Sequence, residues 1–171
     1  MKTGIRLDIG CGENKQPGFI GIDYRKLPGV DIVHDLEKFP WPIKSNSVLI
    51  AIASHVVEHI QPTHGIFIDF MNEVWRVLVP DGEFAIVTPY GGSPGYWQDP
   101  THINGVTENT LRYFDPLDKP TGGALYRIYE PAPWLIKPGT LSLKKEGNLE
   151  VVLIKRRDDI SYHKDGKVHW K

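Results

Sequence analysis

The stretch LDIGCGENKQPGFIGIDY, residues 7–24, holds two short apolar runs on either side of a glycine-containing turn. The first run belongs to IRLDIG (5–10), which is rich in apolar residues and stops at glycine, the pattern of a buried strand. Gly10 and Gly12 permit positive φ and let a ligand approach the backbone closely. The second run, FIGID (19–23), ends on an acid that is followed by Tyr24. Only ten residues separate Gly12 from Asp23, and part of that interval is the second strand itself. A parallel crossover with its helix needs roughly 10–12 residues. The connection after the first strand is therefore predicted to be a loop, in keeping with the proline and glycine of ENKQPG.

Working outward, VDIVHDL (30–36) is a third apolar run ending near an acid, and SVLIAIAS (47–54) is the most continuous apolar run in the chain. The latter suits a central strand covered on both faces. THGIFIDFMNEVWRVLVPDG (63–82) places Phe67, Phe70, Val74 and Leu78 at helical spacing, with Pro80 and Asp81-Gly82 as the stop signal. EFAIVTP (83–89) reads as the next strand. Strands with a helical crossover argue for an α/β fold with a mainly parallel sheet. The stretch 90–110 is irregular and rich in glycine, proline and aromatics, and a long loop of this kind is often functional. VTENTLRYFDP (106–116) has the form of a short capped helix starting near Thr107 or Glu108. GTLSLKKEGNLEVVLIKRR (139–157) reads as two antiparallel strands, and SYHKDGKVHW as a further hairpin with an Asp-Gly turn. The expectation is one domain over 1–171, with a lid-like insertion at about 90–123 and C-terminal strands and hairpin at about 124–171.

Bulk composition narrows the function. With 171 residues, 40% apolar and 24% charged, the chain is long enough to bury a core. A net charge of −1 gives no global field for nucleic acid or a membrane surface, so neither is expected as a partner. The single cysteine, Cys11, excludes an internal disulfide framework and fits a reducing, cytoplasmic setting. The N-terminal sequence lacks an apolar signal-like run, and no stretch approaches the roughly 18 apolar residues of a membrane span.

In an open α/β sheet, ligands sit outside the carboxyl ends of the strands. If the strands are parallel, the first four bring LDIGCGE, Asp23-Tyr24, Asp35-Leu36 and Ser54-His55 to one rim. An acid ending the second strand can accept two hydrogen bonds from a ribose diol. An acid ending the third can accept from the exocyclic amine of adenine. The sequence has no Gly-Lys-Ser/Thr phosphate loop and only two closely spaced glycines, so an uncharged adenosine derivative fits better than a triphosphate or dinucleotide.

LDIGCGENKQPGFIGIDY, VDIVHDLEKFPWPIKSNSVLIAIASHVVEHI and FMNEVWRVLVPDGEFAIVTP together resemble a class I S-adenosylmethionine-dependent methyltransferase of type 11. The likeness is to the compact predicted methyltransferases of bacteria and phages, and it spans about residues 5–115. It implies a Rossmann-like fold with S-adenosylmethionine as cofactor. By the same resemblance, Asp8, Gly10, Cys11 and Gly12 would form the loop around its methionine part. Asp23 and Tyr24 would meet the ribose, Asp35 and Leu36 the adenine, and His55 would line the cofactor and substrate cavity. The loop that replaces the helix after the first strand removes a helix N-terminus from the cofactor carboxylate, and Lys15 is the available positive substitute.

His55-x-x-Glu58-His59 also matches the H-x-x-E-H spacing of inverted zinc peptidases. That chemistry needs both histidines on one helix face and a third protein ligand. Pro62 leaves little more than one helical turn around the motif, so no metal site is assigned and a zinc hydrolase is the remote alternative. For methyl transfer, His55 and His102 are the candidate bases. His59, Tyr90, Tyr96, Trp97 and His102 are the candidate walls of an acceptor pocket, and anchoring of its loop through Asp99 is the favoured alternative role for His102. The sequence after the fourth strand is SHVV rather than Asn/Asp-Pro-Pro-Tyr, and Cys11 lies in the cofactor loop. Base amino groups and cytosine C5 are thus disfavoured as acceptors, leaving a small molecule, a sugar or a protein side chain. The other alternative is a non-catalytic binding module that retains the fold.

Overall fold

The computed structural model describes residues 4–117, 128–156, 160–162 and 168–170. The strands are β1 (Ile5–Ile9), β2 (Ile20–Asp23), β3 (Ile32–Val33), β4 (Val48–Ser54), β5 (Leu78–Pro89), β6 (Trp134–Ile136), β7 (Ser142–Leu143) and β8 (Asn148–Lys155). They form one sheet in the order β3-β2-β1-β4-β5-β8-β6, with β7 also on β8. All pairings from β3 through β5 are parallel, and every pairing of β8 is antiparallel. A separate antiparallel pair joins β9 (Ile160–Tyr162) to β10 (Val168–Trp170). This is the expected hairpin; its Asp-Gly turn lies outside the described residues. The helices are α1 (Ile66–Val77), α2 (Pro94–Trp97) and α3 (Glu108–Arg112).

Register explains which face is buried. Leu7 stands between Ile20 and Ala51, Ala51 beside Phe84, and Phe84 beside Leu153. This row and the next, Ile9, Ile22, Ala53, Ile86 and Val151, point to the covered side. There α1 lays down Phe67, Phe70, Met71, Val74 and Val77, the 3.6-residue stripe expected from the sequence. Phe70 stacks over Phe67 and tilts against Phe84, while Phe84 meets Trp134 at 5.9 Å between ring centroids. Each such fully buried aromatic contributes about 1.5–3 kcal/mol. Residues of the opposite face, such as Ile52, Ala85 and Val152, are only half-buried, so β4 is not a strand sealed on both sides.

The predicted helix 63–82 is shorter at both ends. Thr63–Gly65 is a 3-10 turn, and α1 stops at Val77 because Leu78 is already extended. Pro80 has no N–H to continue the ladder and disfavours helix at Val79. Asp81, at φ 64°, and Gly82 then turn the chain, and the β4–β5 register slips between Val48 and Ile50 to absorb the extra residues. The third strand contracts to two residues. Trp134–Ile136 and the four-residue α2 are elements too short for any periodic signal. The short helix is present, with Thr107 as its N-cap in a reciprocal capping arrangement with Thr110.

No helix links β3 to β4. The loop 34–47 is fastened instead by the Glu73 carboxylate of α1, which accepts from Trp41 N at 2.6 Å. Glu73 also receives two hydrogen bonds from the Arg76 guanidinium, whose pKa this bonding raises above its ordinary value. Arg76 reaches on to the carbonyls of Trp41 and Ile43. Glu73→Ala would strand a buried N–H and a guanidinium together, at a cost of about 2–4 kcal/mol. Asp69→Ala, on the exposed side of α1, should stay within about 0.5 kcal/mol. Urea unfolding of the two variants checks the contrast.

Candidate functional site

The carboxyl ends of β1, β2 and β4 and the segment after β3 open onto one cavity of about 430 Å³. It is lined by Gly10 from β1, Asp23, Tyr24 and Arg25 from β2, Asp35, Leu36 and Glu37 after β3, and His55, Val56, His59 and Ile60 after β4. Thr101 closes it from the loop beyond α2. Its size lies within the range of small-ligand sites.

Gly10 is needed for its shape, since φ is +64° and a Cβ there would stand 2.5 Å from Val56 Cγ2. Gly10 N donates to Ile22 O, and Gly12 N donates to Asp23 Oδ2 at 2.9 Å. Asp23 Oδ1 accepts from Arg25 N, also at 2.9 Å. Two backbone donors therefore fix the carboxylate, and a carboxylate with about four lone-pair directions keeps capacity for a ligand. Asp35 accepts from Glu37 N and pairs with Lys38 at 3.3 Å. His55 adopts φ +56°, rare for a residue with a Cβ, and its ring is 50% exposed at the cavity.

Other predicted residues sit elsewhere. Asp8 does not line the cavity; buried, it accepts from Gln16 N at 2.8 Å and braces the loop that replaces a helix. Burial pushes its pKa above the usual carboxylate value, against the lowering effects of that N–H and of Lys15. Cys11 is buried against Gly21, and its thiol is pushed up by burial and by Asp8 and Asp23, as befits packing rather than chemistry. Gly12 acts through its N–H. Lys15, the positive group available to a cofactor carboxylate, is engaged by Asp31 at 2.6 Å. That bond and the Gly21 N–H hold Asp31 below its ordinary pKa.

The acceptor wall also divides. Of His59, Tyr90, Tyr96, Trp97 and His102, only His59 lines the cavity. Tyr96 is buried and stacks on His102, Trp97 is 75% exposed, and Tyr90 packs on the core. His102 Nδ1 donates to Tyr96 O, with Asp99 3.7 Å from Nε2, so the loop-anchor role is formed. Ile103 N and Asn104 N both donate to Glu58 O, and Asn104 Nδ2 donates to Val57 O, pinning this loop to the turn after β4. Around H-x-x-E-H there is only a 3-10 turn, Val57–His59, with His55 outside it, so the two histidines do not share a helix face. Arg25, Glu37, Val56, Ile60 and Thr101 escape the sequence reading. The first two follow the strand-end acids by two residues, whereas nothing local marks Thr101.

The sheet has five parallel strands, with an antiparallel β8 inserted before β6. The fold is that of class I methyltransferases. An S-adenosylmethionine-dependent methyltransferase from Archaeoglobus fulgidus superposes with a TM-score of 0.61 at 15% identity, covering 90% of this chain and 86% of that one. A putative type 11 methyltransferase from Sulfolobus solfataricus gives 0.57 at 17% identity, over 95% and 89%. A putative S-adenosylmethionine-dependent methyltransferase from Listeria monocytogenes gives 0.58 at 13%, over 91% of each. No protein-family model and no curated protein matches the sequence. Among the described residues, no helix is long and apolar enough to cross a membrane.

The Asp8 brace is open to test. Asp8→Asn keeps an acceptor for Gln16 N and removes a desolvated charge, so stability should change by less than about 1 kcal/mol. Asp8→Ala leaves that N–H unpaired and should cost about 1–3 kcal/mol, read from urea midpoints.

Proposed function

We propose that this chain binds S-adenosylmethionine at the cavity and transfers its methyl group to a small molecule, a sugar or a protein side chain. The observation that carries this reading is the convergence of Gly10, Asp23, Asp35, Leu36 and His55, from four strand ends, on one cavity. The donor set suits the ligand. Asp23 has lone pairs left for a ribose diol, Asp35 can accept from the adenine amine, and Leu36, Val56 and Ile60 offer apolar surface for the ring. When bound, the cofactor supplies an electrophilic methyl group. The chain contributes alignment of the acceptor, with His55 at the cavity positioned to take its proton where the acceptor carries one. Thr101 and His59 form the acceptor side, and Tyr96 and His102 support that side from behind.

A second reading, a binding module that keeps the adenosine pocket without turnover, is favoured by one feature. The connection between β1 and β2 has no helix whose N-terminus could face the cofactor carboxylate, and Lys15 is already paired with Asp31. Calorimetry with S-adenosylmethionine and S-adenosylhomocysteine tests what the two readings share. Both ligands should bind more tightly than about 1 mM, and failure of both to do so removes both readings. Asp23→Ala should weaken binding about 10–100-fold, corresponding to one or two charged hydrogen bonds. His55→Ala should leave cofactor affinity within about threefold while slowing methyl transfer about 10²-fold or more.

A further inference from the structure

Behind the cavity wall, the turn after β4 meets the loop 98–106, and three side chains with metal-ligand chemistry converge there. One ligand atom each from Glu58, His59 and His102 lies within 4.8 Å of the others. Glu58 is 0% exposed. Its Oε2 accepts from the Thr88 hydroxyl at 3.0 Å, whereas Oε1 has no hydrogen-bond partner among the described residues and stands 3.3 Å from His55 Nδ1. A buried carboxylate oxygen without a partner is costly, and a cation is what satisfies it best.

The two imidazoles are each oriented by a backbone carbonyl. His59 Nδ1 lies 3.1 Å from the Thr101 carbonyl, and His102 Nδ1 lies 2.7 Å from the Tyr96 carbonyl. A carbonyl oxygen only accepts, so Nδ1 of each ring is the donor, and Nε2 is the nitrogen left to ligate a metal. Metal-binding histidines are oriented in this way by backbone carbonyls. The Asp99 carboxylate, 3.7 Å from His102 Nε2, adds negative charge beside the cluster. Hydrogen bonds from the Thr101 hydroxyl and N–H hold Asp99 below its ordinary pKa.

We propose that Glu58, His59 and His102 bind one divalent transition-metal ion of the zinc type. Two imidazole nitrogens and one carboxylate oxygen are a donor set for such an ion and leave a coordination position open. Because His59 and Thr101 line the cavity, the site borders its acceptor side. His102, 43 residues beyond His59, joins Glu58 and His59 in a set that does not include His55 and so differs from the H-x-x-E-H pairing. The site goes beyond the methyl-transfer reading and stands without it, since none of the three ligands is assigned to the cofactor.

The test uses the full chain purified without an affinity tag, stripped with a chelator and titrated calorimetrically with zinc chloride. Saturation at one zinc per chain is expected, with a Kd below about 10 μM and a rise in melting temperature. His59→Ala and His102→Ala should each weaken binding about 10-fold or more, and His55→Ala less than about 3-fold. Circular dichroism of the metal-free variants controls for folding, and His102→Gln replaces His102→Ala if the latter unfolds. Absence of saturable binding overturns the site. So does one-to-one binding that survives both substitutions, or that is lost only in His55→Ala, which would make His55 rather than His59 and His102 the imidazole ligand. S-adenosylmethionine binding by the stripped chain is measured alongside, so that loss of one reading is separable from loss of the other.

Discussion

Parallel pairing of β1 with both β2 and β4 is the constraint on which the rest of the molecule depends. A parallel neighbour obliges the chain to return to the end at which it started, and usually a helix makes the return. Here only ten residues, 10–19, lie between β1 and β2, and they form an irregular loop. The loop begins with Gly10 and Gly12 at positive φ and is drawn back by Gly10 N to Ile22 O and Gly12 N to Asp23 Oδ2. The same bonds that close the crossover also orient the acid at the end of β2. Crossover and cavity are thus one structure, and the glycine turn cannot be altered without moving Asp23.

The covered face follows from the one long helix. Ala51 and Ala53 on β4 keep the centre of the sheet low, and the aromatic side chains of α1, β5 and β6 fill the space above. Glu73 extends the reach of α1 to the loop 34–47, which begins beside Asp35 and Leu36 and so belongs to the cavity wall. Packing on one face therefore sets the position of an acid on the rim.

How much of this is legible in the sequence depends on whether the signal is local. The strand ends are readable because apolar runs stop on Gly10, Asp23 and Ser54, and parallel order then brings them together without further information. The loop crossover is readable from residue count alone. The helix reads as too long because its apolar stripe runs on through Leu78 into a strand, and Pro80 acts on residues before it. Asp8 lies off the cavity lining because alternation along β1 turns its side chain toward Gln16, a fact of register rather than of motif. Tyr96 and Trp97 in α2 and His102 in the following loop lie close in sequence to Thr101, yet Thr101 is the one on the cavity. No periodicity governs such a loop, so which side chain faces inward is decided by hydrogen bonds to Glu58 and Val57 that lie more than forty residues away.

A wider regularity joins these details. Asp8 accepts Gln16 N, Asp23 accepts Gly12 N and Arg25 N, and Asp31 accepts Gly21 N. Asp35 accepts Glu37 N, Glu37 accepts Gln61 N, and Glu73 accepts Trp41 N. Where a larger α/β protein would satisfy these N–H groups inside crossover helices, this chain uses carboxylates, and each buried N–H must find some acceptor. The acids on the rim consequently serve two ends, bracing the backbone and facing the cavity. Glu58 departs from the pattern. It presents one oxygen to Thr88 and the other, which has no hydrogen bond, to within 3.3 Å of His55 Nδ1, with ligand atoms of His59 and His102 close by. Glu58 is fully buried, and burial of a carboxylate is costly unless its oxygens find partners.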